Sequence, residues 1–149
     1  MLVKSILTRP PTIADSDATI LAVSEMMRED DTGAVIIFDE GHLVGVVTDR
    51  DIATQLSNSD MHGLTRPISQ IMTPDPLTCF DDQDVVDAAA IMADHQVRRL
   101  PVIDHANHIV GLLTVDIIAE NYSEQVAGET LGEIVELRSR KPYHTDKSS

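Results

Sequence analysis

Two stretches read alike: Gly45-Val46-Val47-Thr48-Asp49-Arg50-Asp51-Ile52-Ala53 and Gly111-Leu112-Leu113-Thr114-Val115-Asp116-Ile117-Ile118-Ala119. Each opens on glycine, continues with two apolar residues suited to a buried strand, reaches a threonine suited to a helix N-cap, and ends on a helix-like apolar pair. Each therefore reads as a strand running straight into a helix, with polar groups at the junction. Such junctions leave backbone N–H groups unpaired, and phosphates and ribose hydroxyls dock there.

The repetition extends outward from these stretches. Ile6 and Ile71, Thr8 and Thr73, Asp17 and Asp82, Met27 and Met92, and Asp39 and Asp104 are all 65 positions apart. Beyond a turn, His42 and His108, Val44 and Val110, Gly45 and Gly111, Thr48 and Thr114, and Ile52 and Ile118 are 66 apart. One extra residue in the second hairpin accounts for the shift. An internal repeat of this length implies two copies of one supersecondary unit.

In the first copy, Arg9-Pro10-Pro11 forces an extended entry. Thr12-Ile13-Ala14 predicts a short strand, and Asp15-Ser16-Asp17 offers N-caps to a helix whose face is Ile20, Val23, Met26 and Met27. Gly33 marks the loop after it. Val35-Ile36-Ile37-Phe38, the turn Asp39-Glu40-Gly41-His42 and Leu43 to Val47 predict a hairpin, and Asp49 to Leu56 a closing helix. The turn-rich stretch from Ser57 to Pro67 reads as a linker. The second copy repeats the plan: Leu77-Thr78-Cys79-Phe80, then Asp81-Asp82 as caps for a helix with Val85, Val86, Ala89, Met92 and Ala93 on one face. Leu100-Pro101-Val102-Ile103 and Ile109 to Leu113 make its hairpin, and Val115 to Asn121 its last helix. Tyr122 to Ser149 has no partner in the first copy. Val126, Leu131, Ile134, Val135 and Leu137 predict a short amphipathic segment there, and the polar chain beyond Arg138 predicts a frayed end.

Composition narrows the function. The chain has 149 residues, 42% hydrophobic and 3% aromatic, so it has an aliphatic core. A net charge of -14 opposes general binding to nucleic acid or to anionic membrane, and requires a local basic spot for any anionic ligand. The single cysteine, Cys79, excludes an intrachain disulfide and reads as a small core residue. No leader or membrane span is read in the sequence, so the default location is the cytoplasm. No Ser–His–Asp order, Gly-rich phosphate loop or HExxH is present, so no catalytic constellation is assigned. His105 and His108 share a turn without a third ligand, and no metal is expected.

A β-α-β-β-α unit present twice, with Gly-apolar-apolar-Thr-x-x-Asp at the last junction, resembles the cystathionine-β-synthase (CBS) domain, and the tandem resembles a CBS pair, or Bateman module. Met92 to Asp104 is also similar to this family's central helix-to-strand passage. The resemblance implies an α/β (α+β) fold of two units with pseudo-two-fold symmetry: a first unit over 5–57, a linker over 58–67, a second unit over 68–122 and a partly disordered extension over 123–149. It implies a non-catalytic regulatory module and a homodimer, expected on the helices around Ile20–Met27 and Val85–Met92. It also implies an adenosine-containing ligand (AMP, ADP or ATP, with S-adenosylmethionine or NAD as alternatives) in clefts between the units, and a regulated partner protein. The other reading is a structural or interaction module whose ligand sites do not function.

The ligand-contact residues expected from this resemblance are Thr12, Thr48, Arg50, Asp51, Thr78, Arg98, Arg99, Thr114 and Asp116. Asp51 would accept hydrogen bonds from a ribose diol and Thr48 would meet phosphate. The same Thr-x-x-Asp spacing is also that of a helix-capping box, and both roles stay open for the pair. Arg98 and Arg99 are either a solvated arginine and a salt-bridged one, or include one that reaches phosphate. The second junction departs from the pattern: Asp116 follows Thr114 by two residues, and Ile117 holds the position of the diol acceptor. One residue along a helix is a turn of about 100°, so Asp116 projects in a different direction from Asp51.

Overall fold

The computed structural model describes residues 1–58 and 61–140. The chain divides into two compact units, one of Pro11–Pro76 and one of Met1–Pro10 with the chain from Leu77 onward; they are called the first and second unit below.

The first unit consists of β1 (Ile13–Asp15), α1 (Ile20–Asp30), β2 (Ala34–Asp39), β3 (His42–Thr48), α2 (Asp49–Asn58) and the short β4 (Thr73–Pro74), with sheet order β1-β2-β3-β4. β2 lies in the middle, parallel to β1 and antiparallel to β3. Its continuous run Ala34 to Ile37 is buried throughout, as a strand covered on both faces should be. Ile20, Val23 and Met27 turn one face of α1 onto this sheet with Val35, Ile37, Val47 and Ile52.

The second unit repeats this order with β5 (Cys79–Phe80), α3 (Val85–His95), β6 (Arg99–Ile103), β7 (Ile109–Thr114) and α4 (Val115–Asn121), and then adds α5 (Glu124–Arg140). Its sheet order is β5-β6-β7. The irregularity in β2–β3 at Ile37/Phe38 recurs in β6–β7 at Val102/Ile103. Cys79 is buried as expected, and burial pushes its thiol up to about 12.

The hairpin turns explain the shift in repeat spacing. Glu40 and Gly41 both have positive φ, 50° and 80°, as a two-residue type I′ turn requires. In the second hairpin Asp104 N–H donates to the His108 carbonyl (2.9 Å) and Asn107 N–H to the Asp104 carbonyl (3.0 Å), with Asn107 at φ 69°. That is a three-residue loop closed by a left-handed residue, one residue longer than the first.

Three features differ from the sequence expectations. Thr19, rather than the Asp15-Ser16-Asp17 cluster, caps α1, its Oγ1 accepting from Ala22 N–H (3.1 Å); Asp84, rather than Asp81-Asp82, caps α3, accepting from Val86 N–H (2.9 Å). The residue next to the first helical turn takes the role, whatever competent side chains precede it. Second, the arms are exchanged. The segment carrying Val3 and Ile6 opens the first copy in sequence but belongs to the second unit, where both side chains are buried and Asn121 Nδ2 donates to the Ile6 carbonyl at 3.1 Å. Its counterpart, with Ile68 and Ile71, packs in the first unit. The sequence-based boundary at residue 5 therefore follows the repeat, while the folded unit begins at Pro11. Third, the extension is a 17-residue helix rather than a short segment, packed on α3 and α4, with Ala127 in the core of the second unit and Val126 and Leu131 against it. Of the end expected to fray from Arg138 onward, residues 138–140 fall within α5, and those from Lys141 on lie outside the described residues.

Candidate functional site

The two strand–helix junctions are built on the same backbone scheme. In the first unit, Thr48 ends β3 opposite Ala34, the first residue of β2, and Asp49 N–H donates to the Gly33 carbonyl at 3.0 Å. In the second, Thr114 ends β7 opposite Arg99, and Val115 N–H donates to the Arg98 carbonyl at 3.2 Å. Each contact holds the loop leaving the preceding helix against the start of the next one. That loop begins in both units with a left-handed residue, Asp31 (φ 50°) or Gln96 (φ 59°). In each, a 6→1 hydrogen bond, Thr32 N–H to Met27 or Val97 N–H to Met92, completes a Schellman closure.

The side chains then diverge. At the first junction Asp51 Oδ2 accepts from Thr48 N–H (2.9 Å) while Thr48 Oγ1 accepts from Asp51 N–H (3.2 Å). This is the reciprocal capping box, so the capping role of the pair is realised in the structure. Asp51 Oδ1 has no hydrogen-bond partner among the described residues. At the second junction Thr114 Oγ1 accepts from Ile117 N–H at 3.1 Å, and the reciprocal half is missing because Ile117 carries no acceptor. Asp116 is exposed in the first turn of α4.

The remaining expected residues fall around these junctions. Arg50 is exposed in the first turn of α2. Arg98 is exposed and Arg99 half-buried, and neither forms a salt bridge among the described residues. Arg99 and Thr114 are cross-strand partners, so their side chains leave the sheet on the same face. Thr12 Oγ1 donates to Asp30 Oδ2 at 2.7 Å, and its carbonyl accepts from Ile36 N–H at 2.9 Å. Thr78 has neither contact among the described residues. By the strand register Thr78 corresponds to Ile13 and Leu77 to Thr12; the residue equivalent to Ile36 is Pro101, which has no N–H to give, so the Leu77 carbonyl cannot make the ladder bond that Thr12 makes. This also explains why β5 is one residue shorter than β1. Sequence reading gave no site role to Asp30, which the fold ties to Thr12, or to Asp49, whose N–H joins the Gly33 carbonyl at the helix start.

The CBS domain family profile matches residues 3–58 and 68–124. The chain belongs to the CBS domain family, and with two copies in tandem it is a CBS pair. It is 32% identical over 133 residues to the CBS domain-containing protein YhcV of Bacillus subtilis, covering 89% of this chain and 94% of that one. Among solved structures it is similar to the CBS domain pair of protein MJ0100 in complex with 5′-methylthioadenosine and S-adenosyl-L-methionine, with TM-score 0.71, 31% identity, and 80% and 98% of the two chains covered. It is also similar to CBSX2 in complex with AMP, with TM-score 0.67, 25% identity, and 80% and 93% covered. No helix among the described residues is long and apolar enough to cross a membrane.

Proposed function

We propose that this protein is a non-catalytic regulatory module that binds an adenosine compound at its strand–helix junctions and passes the bound state to a partner protein. The observation that carries the reading is the duplicated junction, with the same backbone contacts in both units and Thr48, Asp51, Arg99 and Thr114 gathered around them. Binding of methylthioadenosine, S-adenosylmethionine and AMP by CBS pairs of similar fold supports the ligand class. In this role the unengaged Asp51 Oδ1 accepts from the ribose diol while Oδ2 keeps its bond to Thr48 N–H. Thr48 and Thr114 hold the helix starts, Thr12 and Thr78 flank them, and the arginines meet phosphate where the ligand has one.

Titration calorimetry with AMP, ADP, ATP, NAD and S-adenosylmethionine on the wild type, Asp51→Ala and Asp116→Ala tests the reading. A charge-assisted hydrogen bond contributes about 1.5–3 kcal/mol, so Asp51→Ala should weaken binding by roughly tenfold to a hundredfold, and Asp116→Ala much less. The closed capping box favours the rival reading of a structural module, in which Asp51 only caps. Unchanged affinity with a lowered melting point in Asp51→Ala would establish that alternative.

The same reading includes a homodimer built on the helices. α1 leaves Leu21 45% exposed and α3 leaves the equivalent Val86 48% exposed, and a second chain would cover them. Light scattering at micromolar concentration should give twice the chain mass, falling toward one chain in Leu21→Asp; a wild-type monomer removes this part of the proposal.

A further inference from the structure

We infer that residues 7–10 form a strap that Pro10 holds off the outer edge of β7, so that this edge is where the second unit opens. The inference concerns the second unit by itself, goes beyond the proposed function and does not depend on it.

The two arms start alike. Val3–Ser5 and Ile68–Gln70 are equivalent 3-10 turns, and the residues that follow, Ile6 (φ -105°, ψ -3°) and Ile71 (φ -121°, ψ -5°), have nearly the same backbone. Val3 N–H and Lys4 N–H donate to the carbonyls of Gln83 and Asp81, at 2.9 and 3.0 Å. Ile68 N–H and Ser69 N–H donate to those of Ala18 and Ser16, at 2.7 and 3.2 Å.

Beyond this shared root the arms part. In the first unit Thr73 and Pro74 pair with Val46 and Gly45 as β4, and Asp75 N–H donates to the Val44 carbonyl at 3.1 Å. Asp75 makes that bond at φ 48°. The repeat spacing of 65 puts Pro10 in its place. Proline has no N–H to donate, and its ring fixes φ at about -65°, far from the left-handed region. The bond that closes the first arm on its sheet therefore cannot form in the second.

The second sheet accordingly stops at β7. Neither Thr8 nor Pro10 makes a backbone hydrogen bond to it among the described residues. The glycines report the same gap. A Cβ on Gly45 would lie 3.0 Å from the Thr73 carbonyl oxygen. At Gly111 the three nearest atoms all belong to the Leu7 side chain, the third at 3.7 Å, so the Thr8 backbone stands farther off. Val110 and Leu112 are the counterparts of Val44 and Val46. They turn their N–H and C=O groups to an edge that no strand covers among the described residues.

The strap stays tethered beside this edge. Asn121 Nδ2, at the end of α4, donates to the Ile6 carbonyl at 3.1 Å, and Leu7 rests on Gly111. β7 runs through Thr114 into α4, so one helix joins the open edge to the root of the strap. Backbone without a covering strand opens at lower free energy than backbone within a ladder. The fold thus has a fixed edge at β3 and a yielding one at β7.

Amide hydrogen exchange on the full chain, read by NMR, tests this. In the wild type, Leu112 N–H should exchange roughly tenfold faster than Val46 N–H, or more. Pro10→Asp restores a donor and a residue that tolerates positive φ. It should slow Leu112 exchange by roughly tenfold and leave Val46 unchanged. Asp75→Pro should do the converse and speed Val46 alone. Melting curves identify a variant that fails to fold, and the wild-type comparison of Leu112 with Val46 needs no variant. Equal protection of the two amides in the wild type would overturn the inference. So would a folded Pro10→Asp protein that exchanges Leu112 at the wild-type rate.

Discussion

Helices α1 and α3 hold equivalent places in the two units, and they differ on one face only. Toward their own sheets the residues correspond and are buried alike: Ile20 and Val85, Val23 and Ala88, Met27 and Met92. One step around the helix, Ala89 and Ala93 are buried in α3, whereas Ser24 is half-buried and Arg28 exposed in α1. The reason is α5, which packs against α3 and α4 and has no counterpart in the first unit. Small apolar residues let a second helix approach closely, and a solvated face has no such requirement. The repeat thus dictates what each helix turns toward its sheet, and the neighbours outside the repeat dictate the rest. The same division runs through the junctions, where a shared backbone carries different charges.

The largest expected effect breaks this comparison at α5. Ile134 is fully buried and Ala127 and Thr130 nearly so. Ile134→Ala should destabilise the protein by about 2–5 kcal/mol, as large-to-small changes in a core do. Urea unfolding followed by circular dichroism would check it. A change below about 1 kcal/mol would mean that α5 is held by its earlier turns, around Ala127, and not by Ile134.

The next prediction uses the glycines that begin the two quoted stretches. A Cβ built on Gly45 would lie 2.9 Å from Met72 Cγ and 3.0 Å from the Thr73 carbonyl oxygen, which belongs to the paired strand β4. One built on Gly111 would lie 2.9 Å from Leu7 Cδ1, with the other near atoms of Leu7 at 3.6 and 3.7 Å. Backbone cannot withdraw as the end of a leucine can. Gly45→Ala should therefore cost about 1–3 kcal/mol as overpacking. Gly111→Ala should stay within about 1 kcal/mol of wild type, because the lower entropy of the unfolded alanine chain offsets a small shift of Leu7. Equal losses for the two would show that the arms are held with equal stiffness.

Much of this was legible in the sequence, for identifiable reasons. The repeat, the order of strands and helices, and the extra residue in the second hairpin all follow from local patterns of apolar and turn residues. Thr48, Asp51 and Thr114 were legible because a capping residue and its partner lie within one turn. The exchanged arms were not, since Val3 and Ile6 look the same in sequence whichever sheet they cover. The caps were misplaced because Asp15, Ser16 and Asp17 are all competent, and only the backbone at Thr19 shows where the helix begins. The extent of α5 was missed because Ala127 and Thr130 give little hydrophobic signal. The junctions were legible in part: Arg98 and Arg99 stood out in sequence, while the tie of Asp30 to Thr12 shows only in the fold.

The smallest expected effect sharpens the comparison at the hairpins. Asp104 and Asp39 are equivalent in sequence, but only Asp104 turns its carboxylate into its own loop. Its Oδ1 accepts from the N–H groups of Ala106 and His108, both at 2.9 Å. These bonds, that from His108 first, hold its carboxyl below the ordinary value of 3.8. A carboxyl depressed in the folded state contributes stability above its unfolded pKa and loses it as pH falls through the folded one. Asp39 stands near Asp17, whose carboxyl is raised first by the hydrogen bond with Asp15 and last by the charge of Asp39. Asp104→Ala should therefore lower the melting temperature slightly at neutral pH, with the gap to wild type closing as pH drops below the ordinary carboxylate range. Asp39→Ala should leave the melting temperature unchanged or raise it slightly, since it relieves repulsion. Melting curves of both variants from neutral pH downward would decide the matter. A gap for Asp104→Ala that persists undiminished in acid would assign its effect to the shape of the three-residue loop rather than to the ionised carboxylate.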